Sequence, residues 1–407
     1  MAIYARIIQE NTVCLWGLSS RERLDRMLNK AGISTKQEGT SPFAEGDTVL
    51  LLRGDFLYDQ RIIVNMIEID NVVLDFNSPQ GRKPVAAHVS AEQADQIEAI
   101  ISEGLSDDLP ADLRRETPGS LVPVYLKKLR KIDPPYLYPI TENNRRRLEK
   151  RLFSGSYKGV TDLITKWVWP VPAQWVTGIC SRNGIVPNHV TSLSLVLSIM
   201  ALLQFYYGAY AWGLFSAWLM TFLDTVDGKL ARVTINYSPF GNIFDHGIDL
   251  IFPPIWYIAW GLSLQAGSPE IMGISVSLLI WLTVAGYIIG RMCEGFFKQL
   301  LEPSGIFCWQ VIDSCFRLIT GRRNPNLVLL TISLFFGRPE IGLLVVCLWT
   351  VLSSLFLIYR LVKGFRTRSQ SGELRSWFLD VDPVNDKLTL TQRWFCQRPD
   401  LDAGGDN

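Results

Sequence analysis

The sequence predicts an α-helical integral membrane domain of six transmembrane helices with interfacial helices, preceded by a soluble α/β domain. Three observations lead there. Composition changes along the 407 residues: before about residue 155 the chain is charged and polar with short apolar runs, whereas residues 188–362 carry long apolar stretches separated by short polar loops. Several of those stretches approach the roughly 20 apolar residues that a helix needs to cross a bilayer. Basic residues cluster at 145–151 (RRRLEKR) and 360–368 (RLVKGFRTR), on either side of the apolar half, so the distribution of charge says more than the formal net of +1.

In residues 1–140, strand-like and helix-like segments alternate. Residues 48–54 (TVLLLRG) and 71–76 (NVVLDF) read as buried strands, while 20–32 (SRERLDRMLNKAG) and 90–104 (SAEQADQIEAIISEG) have helical spacing, the first ending at a glycine cap. This is the pattern of a small α/β unit. Residues 141–187 read as a basic linker followed by interfacial amphipathic helices. Within them, 157–179 mixes Lys and Trp with apolar residues and holds Pro170 and Pro172, a composition suited to the membrane surface rather than to a span.

Residues 188–362 offer six candidate spans, at about 189–206, 209–226, 243–263, 271–291, 326–337 and 340–361, of which the fifth is short. With the N-terminus cytoplasmic, the outer loops hold one basic residue, Arg338, and the inner ones hold Lys229, Arg232, Lys298, Arg317, Arg322 and Arg323. The positive-inside rule therefore predicts a multi-pass protein with both termini and the polar face of the bundle in the cytoplasm. The tail at 363–407 is polar after residue 368 and reads as loosely ordered. Seven scattered cysteines without metal-site spacing read as reduced thiols, and the first residues lack the apolar core of a cleaved signal peptide.

Within the most apolar half stands DTVDGKLARVTINYSPFGNIFDHGID, residues 224–249, with four aspartates at the ends of the second and third spans. Carboxylates at such a depth are costly unless paired, metal-bound or functional. On helices, Asp224 and Asp227 lie three apart, and Gly241, Asp245 and Asp249 follow one another at intervals of four, so each set shares a helix face. Two neighbouring antiparallel helices would then direct all four acids into one cleft. Mutual repulsion there calls for a counter-charge, which hard divalent cations with oxygen ligands and a phosphate supply. A carboxylate not tightly ligated can accept a proton from a hydroxyl.

The pattern Asp224-x2-Asp227-Gly228-x2-Ala231-Arg232-x8-Gly241-x3-Asp245-x3-Asp249 resembles, at all eight fixed positions, that of the CDP-alcohol phosphotransferase (phosphatidyltransferase) family. PNHVTSLS, residues 187–194, is similar to the start of that family's first span. The resemblance implies a six-span, typically homodimeric membrane enzyme that uses two Mg²⁺ or Mn²⁺ ions. Such an enzyme moves a substituted phosphate from a CDP-linked donor, a CDP-alcohol or CDP-diacylglycerol, to an alcohol acceptor and releases CMP, in phospholipid or phosphodiester biosynthesis. It implies Asp224, Asp227, Asp245 and Asp249 as metal ligands, with Asp249 also the base, and Asn188, Thr191, Gly228, Ala231, Arg232 and Gly241 around the nucleotide. No nucleic-acid partner is expected.

Arg317, Arg322 and Arg323 lie in an inner loop, where they suit either a phosphate-bearing acceptor or lipid headgroups. That loop resembles the one in the inositol-phosphate-transferring branch of the family, whose members often carry a cytidylyltransferase domain in front. The N-terminal half resembles such a nucleotidyltransferase fold at residues 17–33 and 50–63, with Asp55 in the place of the metal-proximal carboxylate. It lacks the glycine-rich phosphate loop before residue 17, so a degenerate domain is expected: a scaffold, a ligand sensor or a docking module.

Other readings stay open. One intramembrane aspartate can be a helix–helix hydrogen bond, Arg232 can anchor a helix end by snorkelling, and His246 reads as a packing residue. A membrane cation transporter would place acids mid-membrane on several spans, whereas spans four to six offer Glu294 and Glu340 at their ends. A membrane-anchored nucleotide-sensing module would release no CMP.

Overall fold

The computed structural model describes residues 2–35, 44, 46–105, 108–302, 304–382 and 388–396. The N-terminal part is built on a six-stranded mixed sheet. Its strands are β1 (Ile3–Ile8), β2 (Ser34–Thr35), β3 (Thr48–Arg53), β5 (Val72–Ser78), β6 (Gly81–Ser90) and β7 (Arg114–Glu116), in the order β2-β1-β3-β6-β5-β7. β1 pairs parallel with β2 and β3, and β5 with β7, while β6 runs antiparallel to β3 and β5. A short strand β4 (Phe56–Tyr58) pairs with β10 (Leu137–Pro139), and β8 (Tyr125–Leu126) with β9 (Lys131–Ile132).

Alternation along β3 explains why both faces of the sheet are covered. Leu50 and Leu52 face helices α1 (Ser20–Lys30) and α2 (Gln60–Ile67), packing with Leu24, Met27, Leu28, Ile62, Ile63 and Met66. Val49 and Leu51 face α3 (Ala94–Glu103) and its Ile97 and Ile101. α1 starts at a capping box in which the Ser19 hydroxyl accepts from Glu22 N–H and the Glu22 carboxylate accepts from Ser19 N–H at 2.8 Å. A short α4 (Pro118–Leu121) and α5 (Arg145–Gly155) lead on to the membrane part. The connector is fastened by Asp133, whose carboxylate takes Lys131 at 2.8 Å and Arg151 at 2.6 Å.

A π-helical turn at Ile164–Val168 and helix α6 (Pro170–Arg182) follow, with Trp167, Val168, Val171 and Trp175 exposed. The bundle consists of α7 (Pro187–Tyr206), α8 (Tyr210–Val233), α9 (Pro239–Gly267), α10 (Val276–Leu300), α12 (Arg323–Phe335) and α13 (Pro339–Ser371), with α11 (Val311–Arg317) lying before α12. Thr191, Ser194 and Ser198 of α7 turn inward, whereas Leu193, Val196, Met200 and Leu203 stand exposed at helical spacing; α10 and α13 likewise expose Leu278, Trp281, Leu282, Leu348, Leu352 and Leu355. An outer surface this apolar is the one a bilayer covers.

Among the described residues, four helices are long and apolar enough to cross a membrane: Pro187–Tyr206, Ile243–Gly267, Val276–Leu300 and Pro339–Ser371. The sequence expectation of six spans is thus met at four. The other two fall short for physical reasons. α8 carries Asp224, Asp227, Lys229 and Arg232 in its second half. α12 has 13 residues, a rise of about 20 Å against a hydrocarbon thickness of about 30 Å.

The tail also departs from expectation. Trp377, Phe378, Phe395 and Cys396 are buried with Ile132, Phe307 and Trp309, because a few large apolar residues in a polar segment find a partner surface that average composition conceals. Residues 397–407, which include the polar chain end, lie outside the described residues.

α7 and α8 approach closely where Gly213 meets Phe205, and an added Cβ would overlap the phenyl ring. Phe205 cannot yield, since its fully buried ring is held against Trp256 and Trp260. Gly213→Ala should therefore destabilise the bundle by about 1–3 kcal/mol, read as a lower melting temperature of the detergent-purified protein.

Candidate active site

The end of α8 and the start of α9 bring the aspartates together. α9 is started by Ser238, whose hydroxyl accepts from Gly241 N–H at 3.0 Å, with Pro239 at the first helical position. Carboxylate oxygens of Asp224, Asp227 and Asp245 all lie within 4.8 Å of one another. Asp249 joins them through Arg323, which donates Nη2 to Asp224 at 2.6 Å and Nη1 to Asp249. One cationic fork thus spans both aspartate-bearing helices.

On the other side, the buried Thr191 hydroxyl donates to Asp227 Oδ2 at 2.6 Å. Asp227 Oδ1 is buried and has no hydrogen-bond partner among the described residues. The cluster therefore keeps one buried acceptor atom of the kind a hard cation takes, and three carboxylates at this spacing suit Mg²⁺ or Mn²⁺. His246 is largely exposed, with Nδ1 3.6 Å from Asp245.

The acids open onto a cavity of about 1430 Å³ lined by both halves of the chain. Its wall includes the residues that the sequence places at the metal, nucleotide and acceptor positions of the membrane part: Asn188, Thr191, Asp224, Asp227, Gly228, Ala231, Arg232, Gly241, Asp245, Asp249, Arg317, Arg322 and Arg323. Two glycines shape it. A Cβ at Gly228 would meet only the Arg232 guanidinium, at 3.9 Å, so the helix backbone is bare to the cavity at that point. A Cβ at Gly241 would come within 2.9 Å of Asn188 Oδ1, so the glycine lets the asparagine cross over the start of α9.

Basic side chains follow along the wall. Arg232 donates to Ser156 O at 2.9 Å, and Lys229 lies 3.7 Å over the Tyr157 ring. Lys158 faces the open cavity yet is hemmed in by protein; that burial, with Arg232 and Arg130 nearby, pushes its ammonium down to about 8.

Arg130, Arg291, Arg317, Arg322 and Lys298 also line the cavity, with the guanidinium groups of Arg317 and Arg322 5.7 and 5.3 Å from the Phe307 ring centroid. Glu294 binds Arg322, with Nε at 3.0 Å, and approaches Arg291 at 3.4 Å. Arg317 has a buried Nη1 without a partner among the described residues, and burial pushes its guanidinium down to about 10 despite Asp162. For Asp162 burial works against the charge, but Arg317, Thr165 and Asn324 outweigh it and hold the carboxyl below its usual range.

Sequence reasoning missed Lys158, Lys229, Arg130 and Tyr287. Lys229 stands at a variable position of the aspartate pattern, Arg130 lies in the part read as the α/β unit and Lys158 in the stretch read as interfacial helices, so no spacing marks them. Tyr287 had a signal. Pro253 and Pro254 interrupt α9 and lack N–H groups, which frees the carbonyls four residues earlier, those of Asp249 and Leu250. The Tyr287 hydroxyl of α10 reaches these two carbonyls, at 3.4 and 3.2 Å. It therefore ties down the backbone that carries Asp249.

Residues 184–294 match the model of the family described as CDP-alcohol phosphatidyltransferase. This segment of the chain is similar to the CDP-alcohol phosphotransferase family. Among curated relatives, Cholinephosphotransferase 1 of Gallus gallus is 32% identical over 119 residues, covering 28% of this chain and 36% of that protein. Cholinephosphotransferase 1 of Homo sapiens is 27% identical over 139 residues, covering 31% and 32%. Ethanolaminephosphotransferase 1 of Mus musculus is 31% identical over 102 residues, covering 24% and 25%. The chain thus spans about a third or less of the length of the curated relatives it matches.

Tyr287→Phe should leave two backbone acceptors of α9 unsatisfied and cost about 1–3 kcal/mol. The protein should stay folded but melt earlier; an unchanged melting temperature contradicts the tether.

Proposed function

We propose that this chain transfers a substituted phosphate from a CDP-linked alcohol to the hydroxyl of an acceptor alcohol and releases CMP. The observation that carries this reading is the buried, unpartnered Asp227 oxygen in a cluster of carboxylates, beside a cavity wall bared by Gly228. Asp224, Asp227 and Asp245, with Asp249, would hold two divalent cations, Mg²⁺ or Mn²⁺. When bound, such ions neutralise a diphosphate and stabilise the departing phosphate.

The chain's own groups do the rest. Asn188, Thr191, Gly228, Ala231, Arg232 and Gly241 surround the CDP half. Asp249, oriented by Arg323 and by the tethered α9 backbone, takes the proton of the acceptor hydroxyl. The acceptor oxygen then bonds to the β-phosphorus, and the bond from that phosphorus to the bridging oxygen breaks, its electron pair leaving with CMP.

The relatives' names, cholinephosphotransferase and ethanolaminephosphotransferase, support a place in phospholipid biosynthesis. The acceptor end supports a narrower reading. Arg317 and Arg322, with Arg323 between them and the aspartates, suit an acceptor that bears a phosphate, such as an inositol phosphate, better than a cationic one. A lipid alcohol is the competing acceptor, and CDP-diacylglycerol competes with a soluble CDP-alcohol as donor. In this reading α8 and α12 join the four long helices in a six-helix membrane bundle, the cavity and both termini face the cytoplasm, and two chains associate as a homodimer. Transport of cations gains no support: among the described residues, the acids of α10, α12 and α13 are Glu294, bound to arginine, and Glu340, beside Arg338 at a helix end.

Purified protein given CDP-diacylglycerol, CDP-choline and CDP-ethanolamine, with and without inositol phosphate or diacylglycerol, should release CMP only with Mg²⁺ or Mn²⁺ and stop on chelation. Mass analysis of the product identifies the acceptor. Asp249→Asn and Asp245→Asn should each slow the reaction by about 10²- to 10⁴-fold. Activity retained in both variants overturns the reading.

A further inference from the structure

The connection between the two aspartate-bearing helices leaves the membrane part and enters the other half of the protein. α8 ends at Val233, and its last carbonyls need partners from outside the helix. Two are satisfied locally: Ile235 N–H donates to Arg232 O at 3.3 Å, and Asn236 N–H donates to Ala231 O at 2.9 Å. This is the Schellman arrangement, in which the residue after the cap takes the left-handed conformation and is usually glycine. Here it is Ile235, at φ +53°. A β-branched residue is strained there and stays only where its surroundings over-determine it.

Those surroundings are the core of the N-terminal region. Ile235 is 4% exposed and sits in one cluster with Leu24, Met27, Ile62, Ile63 and Met66 of α1 and α2. The carbonyls left over are taken by the same helix α1. Buried Arg23 donates to Val233 O at 2.8 Å, and Arg26 donates to Thr234 O at 2.7 Å. Lys30 donates to Tyr237 O at 2.7 Å, and Gln60 of α2 donates to the Tyr237 hydroxyl at 2.9 Å. Cationic side chains on the carbonyl end of α8 also complement its dipole. Val233, Thr234, Ile235 and Tyr237 of this connection are thus held from the α/β side.

A second fastening keeps that grip in place. The segment after β1, where a nucleotidyltransferase would carry its phosphate loop, is used for contact instead. Trp16 donates its backbone N–H to the Glu149 carboxylate at 3.1 Å and its indole N–H to Glu149 O at 2.9 Å, and it accepts from the Ser181 hydroxyl of α6. At Gly17, φ +71°, an added Cβ would lie 2.9 Å from Ser181 O.

We infer that the N-terminal α/β region is a positioning clamp for the carboxylate centre. Ile235, seated in its core, and Arg23 and Arg26, bonded to the end of α8, set how far the α8 aspartates stand from those of α9. This rests on the phosphotransfer reading above, in which the aspartates hold divalent cations. Its partner is not a separate molecule but the α8–α9 connection, and the residues involved are positioning residues that touch no substrate.

The test uses the full chain in detergent and reads Mn²⁺ binding directly, from the free-ion signal in electron paramagnetic resonance, without turnover. Ile235→Gly removes the anchor and relieves the backbone; Arg26→Ala removes one grip at a partly exposed position and keeps the core whole; Ile235→Leu restores the apolar anchor. The first two should weaken Mn²⁺ binding by about tenfold, as loss of supporting contacts around metal ligands does, and Ile235→Leu should remain near the unmodified chain. Arg26→Ala decides the matter if Ile235→Gly does not fold. Mn²⁺ affinity unchanged in the folded variants overturns the clamp, whereas an unmodified chain that binds no Mn²⁺ overturns the phosphotransfer reading beneath it.

Discussion

Several carboxylates share one small space at the end of a helical bundle, and the rest of the structure is arranged around that repulsion. Two unit charges about 4 Å apart repel by about 4 kcal/mol in a surface-like dielectric. The side chains of Asp224, Asp227 and Asp245 converge this closely, so the assembly stands only if positive charge and fixed donors oppose them. Arg323 from α12 does so in part by bridging Asp224 and Asp249, and Thr191 from α7 adds a hydrogen bond to Asp227. Four helices therefore meet at the cluster. The brevity of α12 fits this role: it begins at Arg323 itself, within reach of the acids.

Much of this was legible from spacing. Intervals of three and four between aspartates suffice to put each pair on one helix face, and the glycines beside them mark where backbone must be bare or another side chain must cross. The alternation in TVLLLR and the capped helix at Ser20–Lys30 were equally open to reading, because strand and helix periods differ. What could not be read were contacts between segments far apart in the chain. Arg323 looks like any basic loop residue until α12 is folded against α8, and Ile235 looks like a buried span residue or a loop residue until it is found in a core some 200 positions away. Two of the six expected spans fall short of a crossing by length or composition for a related reason. Apolar runs were read as crossings, whereas a polar half-helix and a 13-residue helix are sustained by their neighbours in the bundle.

The α/β region and the membrane part are coupled by energies of familiar size. A left-handed conformation costs an L-residue about 1–2 kcal/mol, while burial of an isoleucine side chain contributes about 1.5–3 kcal/mol. At Ile235 the second offsets the first only while α1 and α2 remain docked. The strain is thus an internal tie between the two halves, placed on the short connection that joins the aspartate-bearing helices. The helices of the α/β region form part of the cavity wall and hold the end of α8 and the residues that follow it.

The central claim, that the carboxylates converge in order to hold divalent cations, is open to direct observation. Anomalous scattering from crystals of the full chain grown with Mn²⁺ and CMP should show metal within about 2.0–2.6 Å of oxygens of Asp224, Asp227 and Asp245, with Asp227 Oδ1 no longer unpartnered. Density for CMP in the cavity without any metal peak at the cluster, or Mn²⁺ bound elsewhere while Arg323 keeps its place on the acids, would contradict it.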